Sequence, residues 1–358
     1  MEQKVKATLR DVAKRAQVSI ATASLILNEK SSDKFLPETV EIVLRCAQEL
    51  GYEKRVKRVA SESNNKTILV ICPSVINPYY ATIIQGIEQI ARVEGYHTLL
   101  LTTYWDTDVE KYTLRDLQSR PPAGIIYCMP PQDLSYVEQI NQTIPTVVIG
   151  DRSSETNMDM AEFNNYNGGI LVARHLIKLG HKHIAYITTT LNPGHPARYR
   201  RLEGLRDTYQ KECPNGKVIV LERHVDIAEE RDNVDIEHQV GYSLTKQALS
   251  DKDITAFVAI NDMVAYGVMD ALEDGGYKVP QDYSVCGFDN LLFSRFSRIQ
   301  LTTVEHSILQ KGRSAFRLLK NQLEAKDHPH SYDTGSVTRV EYQSVLVEGK
   351  TTAPPRKK

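Results

Sequence analysis

Residues 8–28, TLRDVAKRAQVSIATASLILN, read as two short helices joined by a tight turn. Leu9, Val12, Ala13 and Ala16 recur at i, i+3, i+4 and i+7, one apolar face of a helix. Thr8 followed by Asp11 is a capping box with the shorter acid. Gln17-Val18 makes the turn, and Ser19 caps a second helix that points Ile20, Ala23 and Leu27 inward. Its other face carries Ala21, Thr22 and Ser24, with Leu25 beside them. Small residues let a helix approach base edges, and hydroxyls at a helix start suit phosphates. The pattern predicts a DNA-reading helix-turn-helix or an ordinary helical hairpin, and taken alone it favours neither.

The order of these residues breaks that tie. Asp11-Val12-Ala13, then Val18-Ser19 through Leu27-Asn28, resembles the DNA-binding headpiece of the lactose-repressor/galactose-repressor (LacI/GalR) family. A third helix is predicted from Pro37 towards Leu50-Gly51-Tyr52, with Val40, Val43, Leu44, Ala47 and Leu50 as its stripe. The resemblance implies Thr8, Ser19, Ile20, Ala21, Thr22, Ser24, Leu25 and Asn28 as DNA-facing residues. Leu25 stands where many relatives carry Arg, so it can meet a thymine methyl but not a guanine edge. Family members follow the headpiece with a proline and a hinge helix ending in a leucine wedge. Here 52–67 is YEKRVKRVASESNNKT, without the proline or the leucine. Lys54, Arg55 and Arg58 suit phosphates, and Val59 is the weak wedge candidate.

Length and composition fit a soluble globular chain of two or three domains. The 358 residues are 41% hydrophobic and 25% charged, an ordinary globular balance. The net charge is −1, but 1–66 hold 13 Lys/Arg against 9 Asp/Glu, leaving 31 against 36 in the rest. A basic end on an acidic body concentrates phosphate attraction where the motif lies. Five scattered cysteines without CxxC predict reduced thiols and no zinc site. No apolar run reaches membrane length, and MEQKVKA does not look like a secretory signal, so a cytoplasmic protein without a membrane partner is expected.

From Lys66 onward, β-branched runs alternate with helical stretches in two series. The first has TILVICP (67–73), HTLLLTT (97–103), GIIYCM (124–129) and TVVIG (146–150). The second has HIAYITT (183–189), KVIVLE (217–222), AFVAI (256–260) and YSVCGF (283–288). Continuous apolar strands between helices mean parallel sheets covered on both faces, hence two α/β lobes. The resemblance extends here, to the family's periplasmic-binding-protein-like core. It implies a headpiece over 1–52, a linker over 53–66, and a two-lobe effector-binding and dimerisation domain over 67–347. The lobes are expected as 67–163 with 291–325, and 164–290 with 326–347, followed by a disordered tail, 348–358.

A cleft between the carboxyl ends of two such sheets is where a ligand belongs. The resemblance places Tyr79 and Tyr80, after Asn77-Pro78, at that cleft, with Arg201 of Arg-Leu-Glu-Gly-Leu and Asp289 at the end of YSVCGF. Aromatic faces suit sugar rings or nucleobases, and Arg suits carboxylates or hydroxyls. His195 is a further candidate. Phe163 stands where relatives carry an Asp, which implies a less hydroxylated or a stacking effector. Asp262 reads as a helix N-cap. The acidic stretch 224–238 reads first as a solvated insert, with a lid as the other reading. The reading is a DNA-binding transcription regulator, expected to be a repressor, a homodimer on a near-palindromic operator. Its expected effector is a sugar or sugar acid, with a nucleoside or purine as the alternative. An enzyme would need a phosphate loop or a catalytic motif such as GxSxG or HExxH, none of which is present. A solute-binding protein would need export. No cofactor or metal is expected.

Overall fold

The computed structural model describes residues 8–27, 35–50, 66–117, 120–151, 155–191, 195–327 and 336–357. The chain divides into two compact units, 1–64 and 65–358.

In the first unit, α1 (Leu9–Arg15), α2 (Ile20–Leu27) and α3 (Pro37–Glu49) enclose a small core. Thr8 and Asp11 form the reciprocal cap: the Thr8 N–H donates to Asp11 Oδ2 at 2.8 Å and the Asp11 N–H to Thr8 Oγ1 at 3.4 Å. The Thr8 hydroxyl, donating to Asp11 Oδ2 at 2.6 Å, and then the Thr8 N–H hold the Asp11 carboxyl below its ordinary pKa. The turn runs through Gln17 at φ +54°, and the Thr22 N–H donates to Ser19 Oγ at 3.0 Å, capping α2. Val12, Ala13, Ala16, Ala23, Ile26, Val43, Cys46 and Ala47 are buried. Two residues expected inside point out: Ile20 is 45% exposed and Leu44 50%. Ala23, Ile26 and Leu27 complete the inner stripe of α2, and Val43, Cys46 and Ala47 that of α3.

The second unit contains two parallel sheets. The first has β1 (Thr67–Cys72), β2 (His97–Thr102), β3 (Gly124–Tyr127), β4 (Thr146–Asp151), β5 (Asp159–Phe163) and β11 (Arg339–Tyr342), ordered β2-β1-β3-β4-β5-β11. On β1, Ile68, Val70 and Cys72 face α4 (Pro78–Val93) and α12 (Ile308–Asp327). Leu69 and Ile71 face the opposite way, towards α5 (Thr107–Asp116) and α6 (Leu134–Asn141). Both faces of a strand are buried only when helices cover both, which is why the run reads TILVIC.

The second sheet has β6 (His183–Thr188), β7 (Lys217–Glu222), β8 (Ala256–Ala259), β9 (Ser284–Phe288), β10 (Thr302–Glu305) and antiparallel β12 (Val345–Val347), ordered β7-β6-β8-β9-β10-β12. Its helices are α7 (Asn165–Leu179), α8 (Pro196–Glu212), α9 (Ile227–Asp232), α10 (Ile236–Ala248) and α11 (Asp262–Asp274). The chain passes between the sheets after β5, between β10 and α12, and between β11 and β12.

Two expectations need correction. Residues 302–305 belong to the second lobe, because Thr302–Val304 continue the parallel ladder beside Cys286–Phe288 before the chain crosses. Conversely, β11 pairs with β5 in the first lobe. The tail from Gly349 to Lys357 is not disordered. Thr351 is buried and donates its hydroxyl to the Val285 carbonyl at 2.7 Å, and the Val285 N–H donates back to its carbonyl at 2.8 Å. Ala353 accepts from the Ser284 hydroxyl at 3.0 Å, and Arg356 covers the Tyr283 ring at 4.2 Å. The tail satisfies backbone groups at the start of β9, a role that its prolines and charges conceal.

Helices α7 and α8 touch through two glycines. A Cβ on Gly169 would collide with the Arg201 carbonyl, and one on Gly204 with that of Tyr166. Gly169→Ala should therefore force α8 outward and lower unfolding stability by about 1–3 kcal/mol in urea titrations. An unchanged midpoint would show that the two backbones do not need this approach.

Candidate functional site

Both sheets reverse strand order between their first and third strands, β1/β3 and β6/β8, and the loops after these strands line one cleft of about 150 Å³. Ser74, Asn77 and Tyr79 follow β1, and Met129 and Pro130 follow β3. His195 and Arg198 follow β6, and Asn261 follows β8.

Arg201 is buried in its floor. Its Nε donates to Asn165 Oδ1 at 2.8 Å, Nη1 to the Ile260 carbonyl at 2.5 Å, and Nη2 to Asp289 Oδ1 at 3.5 Å. The guanidinium lies over the Phe288 ring at 4.7 Å. Asn165 in turn donates its N–H and Nδ2 to Asp151 Oδ2, at 3.1 and 2.6 Å. Asp289 and Asn290 have φ of +115° and +51°, strained values for non-glycine residues at the end of a strand. Buried Asp262 holds that corner in place, accepting from the Leu291 N–H at 2.8 Å and from the hydroxyls of Ser294 and Thr303 at 2.6 Å each. The cap of α11 is Asn261, which accepts from the Val264 N–H at 2.9 Å, so Asp262 is a corner brace and not the expected cap. Burial pushes the Asp262 carboxyl up to about 6, against its hydrogen bonds.

The first lobe contributes aromatic walls. Tyr79 and Tyr80 meet edge to face at 5.0 Å. Phe163 is buried and stacks on His306 at 4.3 Å. Tyr104 and Trp105 both have positive φ, +51° and +62°, and this turn places the Trp105 ring 4.3 Å from His195. The acidic stretch contains α9, and it spans the two lobes. Trp105 Nε1–H donates to Glu230 Oε1 at 3.1 Å. Glu237 accepts from Asn77 of the first lobe and Asn261 of the second, both at 2.7 Å.

A second polar chain runs across the cleft. His306 Nε2 lies 2.9 Å from Asp289 Oδ1, His306 Nδ1 2.7 Å from Lys311 Nζ, and Lys311 Nζ 3.1 Å from the Tyr79 hydroxyl. An ammonium can only donate, so His306 accepts at Nδ1 and carries its proton at Nε2, facing the carboxylate. Burial, then the Lys311 and Arg201 cations, keep His306 neutral. Burial pushes the Asp289 carboxyl up, and Arg201 opposes it. Burial lowers Lys311 to about 7.

The six residues expected at the effector site, Tyr79, Tyr80, Phe163, His195, Arg201 and Asp289, line this cleft together. Sequence reasoning missed Trp105, His306, Lys311 and Asn165. Two left a signal: Trp105 is the only tryptophan, in a short loop after a strand, and Lys311 interrupts the apolar stripe Ile308, Ala315, Phe316, Leu319. In the headpiece unit, Ser19, Ile20, Ala21 and Leu25 form the exposed side of α2, with Thr22 and Ser24 half-buried. Thr8 is exposed at the start of α1. Asn28, Lys54, Arg55, Arg58 and Val59 lie outside the described residues.

Residues 8–62 match the family model for bacterial regulatory proteins of the lacI family, and 173–345 the periplasmic binding protein-like domain. The HTH-type transcriptional repressor PurR of Haemophilus influenzae is 30% identical over 326 residues, 90% of this chain and 92% of that protein. This chain belongs to the LacI family. The ribose operon repressor of Halalkalibacterium halodurans is 29% identical over 321 residues, 89% of this chain and 91% of that one. A solved LacI-family regulator from Enterococcus faecium with bound ribose is 26% identical, with a TM-score of 0.67 over 81% of this chain and 99% of that chain. The two-lobe core of the family is thus the body that contains the cleft. Among the described residues, no helix is long and apolar enough to cross a membrane.

A buried lysine with a lowered pKa binds fewer protons folded than unfolded, so its cost is greatest below pH 7 and is relieved as pH rises towards 10. Lys311→Met should accordingly be more stable than the parent at pH 6–7, and the gap should close by pH 10. Parallel chemical unfolding across that range measures it, and a pH-independent gap would mean that Lys311 does not titrate in the fold.

Proposed function

We propose that this chain is a transcriptional repressor whose operator affinity is set by a small molecule in the inter-lobe cleft. The observation that carries this reading is the convergence of Arg201, Asp289 and the aromatic walls of Tyr79, Phe163 and Trp105 on one cleft. A few placed polar groups between aromatic faces suit a small polyhydroxylated ring. A sugar or sugar acid is the first reading, supported by the ribose in the solved neighbour. A nucleoside or purine is the second, favoured by the aromatic rings of Trp105 and Tyr80 lining the cleft and by the similarity to PurR. The chain carries out no chemistry in this reading: its partners are operator DNA and the effector, and it works in the cytoplasm.

A thermal-shift screen of the full chain against sugars, sugar acids, nucleosides and purines tests the cleft. A true effector should raise the melting temperature, and its affinity should fall about 10–100-fold in Arg201→Ala, which loses a charged donor. Asp289→Asn should also weaken it, and circular-dichroism unfolding separates lost binding from a lost fold. A stabilising ligand untouched by both variants would overturn the cleft assignment.

For the headpiece, we infer that the exposed side of α2 reads bases, with Ser19, Ile20, Ala21, Thr22, Ser24 and Leu25 facing the groove and Thr8 near phosphate. Asn28 and the basic linker residues Lys54, Arg55 and Arg58 are read as further DNA contacts, with Val59 as a groove wedge. One headpiece reads a half-site, so a homodimer is the assembly proposed. Exposed Leu99 and Leu100 on edge strand β2 offer apolar surface for it. Selection from a randomised operator library should return a half-site with thymine opposite Leu25. Leu25→Arg should shift that position towards guanine by about 1–3 kcal/mol. Unchanged base preference would place Leu25 away from the groove.

A further inference from the structure

Of Arg198, Arg201 and Lys311, the Arg and Lys side chains lining the cleft, Lys311 is the most deeply buried. Its side chain is 1% exposed yet borders the cavity. Its ammonium meets the Tyr79 hydroxyl, the neutral His306 ring and the faces of Tyr79 and Phe163 at 5.1 and 5.2 Å. Among the described residues it makes no ion pair, whereas Arg201 has Asp289. His306 stands between Lys311 and that carboxylate. A buried ammonium without a contacting counter-ion is costly.

We propose that Lys311 reads charge: the cleft takes a polyhydroxylated effector bearing an anionic group, carboxylate or phosphate, whose oxygen rests against Lys311 Nζ. The proposal deepens the cleft reading above and rests on it. The surroundings favour an anion there. The amino-terminal ends of α4 and α8 line the same cavity. The carboxylates nearby are already engaged, Glu237 by Asn77 and Asn261, and Asp289 by His306 and Arg201.

The groups facing Lys311 are Tyr79 on α4, Phe163 on β5, Glu305 and His306 on and after β10, Asp289 after β9, Arg201 on α8 and Asp151 on β4. Burial keeps Tyr79 protonated and His306 neutral and lowers Lys311 to about 7, so the Lys311 ammonium is lost as pH rises from 7 to 9. An anion beside it stabilises the ammonium, so affinity should decline as pH rises through that window.

Matched pairs test this on the full chain by thermal shift and calorimetry: glucose with glucuronate, and ribose with ribose 5-phosphate. One charged member should bind at least about 10-fold tighter than its neutral parent, as expected of a hydrogen bond to a charged group. Which pair responds tells carboxylate from phosphate. Lys311→Met should bring the two members within about threefold, and raising pH from 7 to 9 should weaken the charged member only. A neutral parent that binds equally well, an unchanged preference in Lys311→Met, or no binding by any member overturns the proposal. If a neutral sugar binds and is lost in Arg201→Ala, the cleft reading survives and the anion does not. If an anion binds regardless of both substitutions, both readings fall.

Discussion

The Arg201 guanidinium ties together three chain segments at the cleft floor: the start of α7, the end of β8 and the strained corner after β9. Only a planar fork with five donors can hold three acceptors in fixed directions at once, and a lysine ammonium in the same place would hold them loosely. Through Asn165 the connection reaches Asp151 in the first sheet, so one buried network ties the carboxyl edges of both sheets. The rest of the cleft is arranged around this. Gly169 and Gly204 let α7 and α8 approach until Arg201 reaches Asn165, and Asp262 with its three donors holds the corner that aims Asp289. Removing one partner of such a buried pair typically costs about 3–5 kcal/mol, because the other charge stays behind unpaired.

Much of this was legible from residue order. The strands were readable because both-sided burial demands unbroken apolar runs such as TILVIC and HIAYIT, and the helices because Gly, Pro and cap residues punctuate them. Arg201 and Asp289 stood out through a family pattern. What stayed hidden depends on distant pairing. LTTVE could lie beside either sheet until its register with Cys286–Phe288 is known, and β11 is an ordinary short run that becomes first-lobe only through β5. The tail looked disordered by composition, yet Thr351 fits because β9 begins with backbone groups that need partners. Ile20 and Leu44 were misplaced because the small core takes Ile26 and Cys46 instead, and helical periodicity alone does not fix the phase of so short a helix.

The acidic stretch shows a further limit. Its charge predicts solvation, and most of its side chains obey, but Glu230 and Glu237 turn inward and accept hydrogen bonds from the opposite lobe. Burial pushes the Glu230 carboxyl up, as expected of an acid drawn out of water to meet an indole N–H. Two carboxylates among many acids cannot be singled out from composition, because what distinguishes them is the Trp105 turn and the Asn77 cap on another segment.

These cross-lobe bonds bear on how an effector could act. Trp105 with Glu230, and Asn77 with Glu237, hydrogen-bond from one lobe to the other. Each such bond is worth about 0.5–3 kcal/mol net, the upper part of that range applying to charged acceptors. An effector shifts the lobes only by the difference in its affinity for their two arrangements. A ligand that adds contacts to Arg201 and Tyr79 while leaving these bonds in place favours the closed cleft. One large enough to displace Glu230 or Glu237 gives back part of what it gains and favours a more open one.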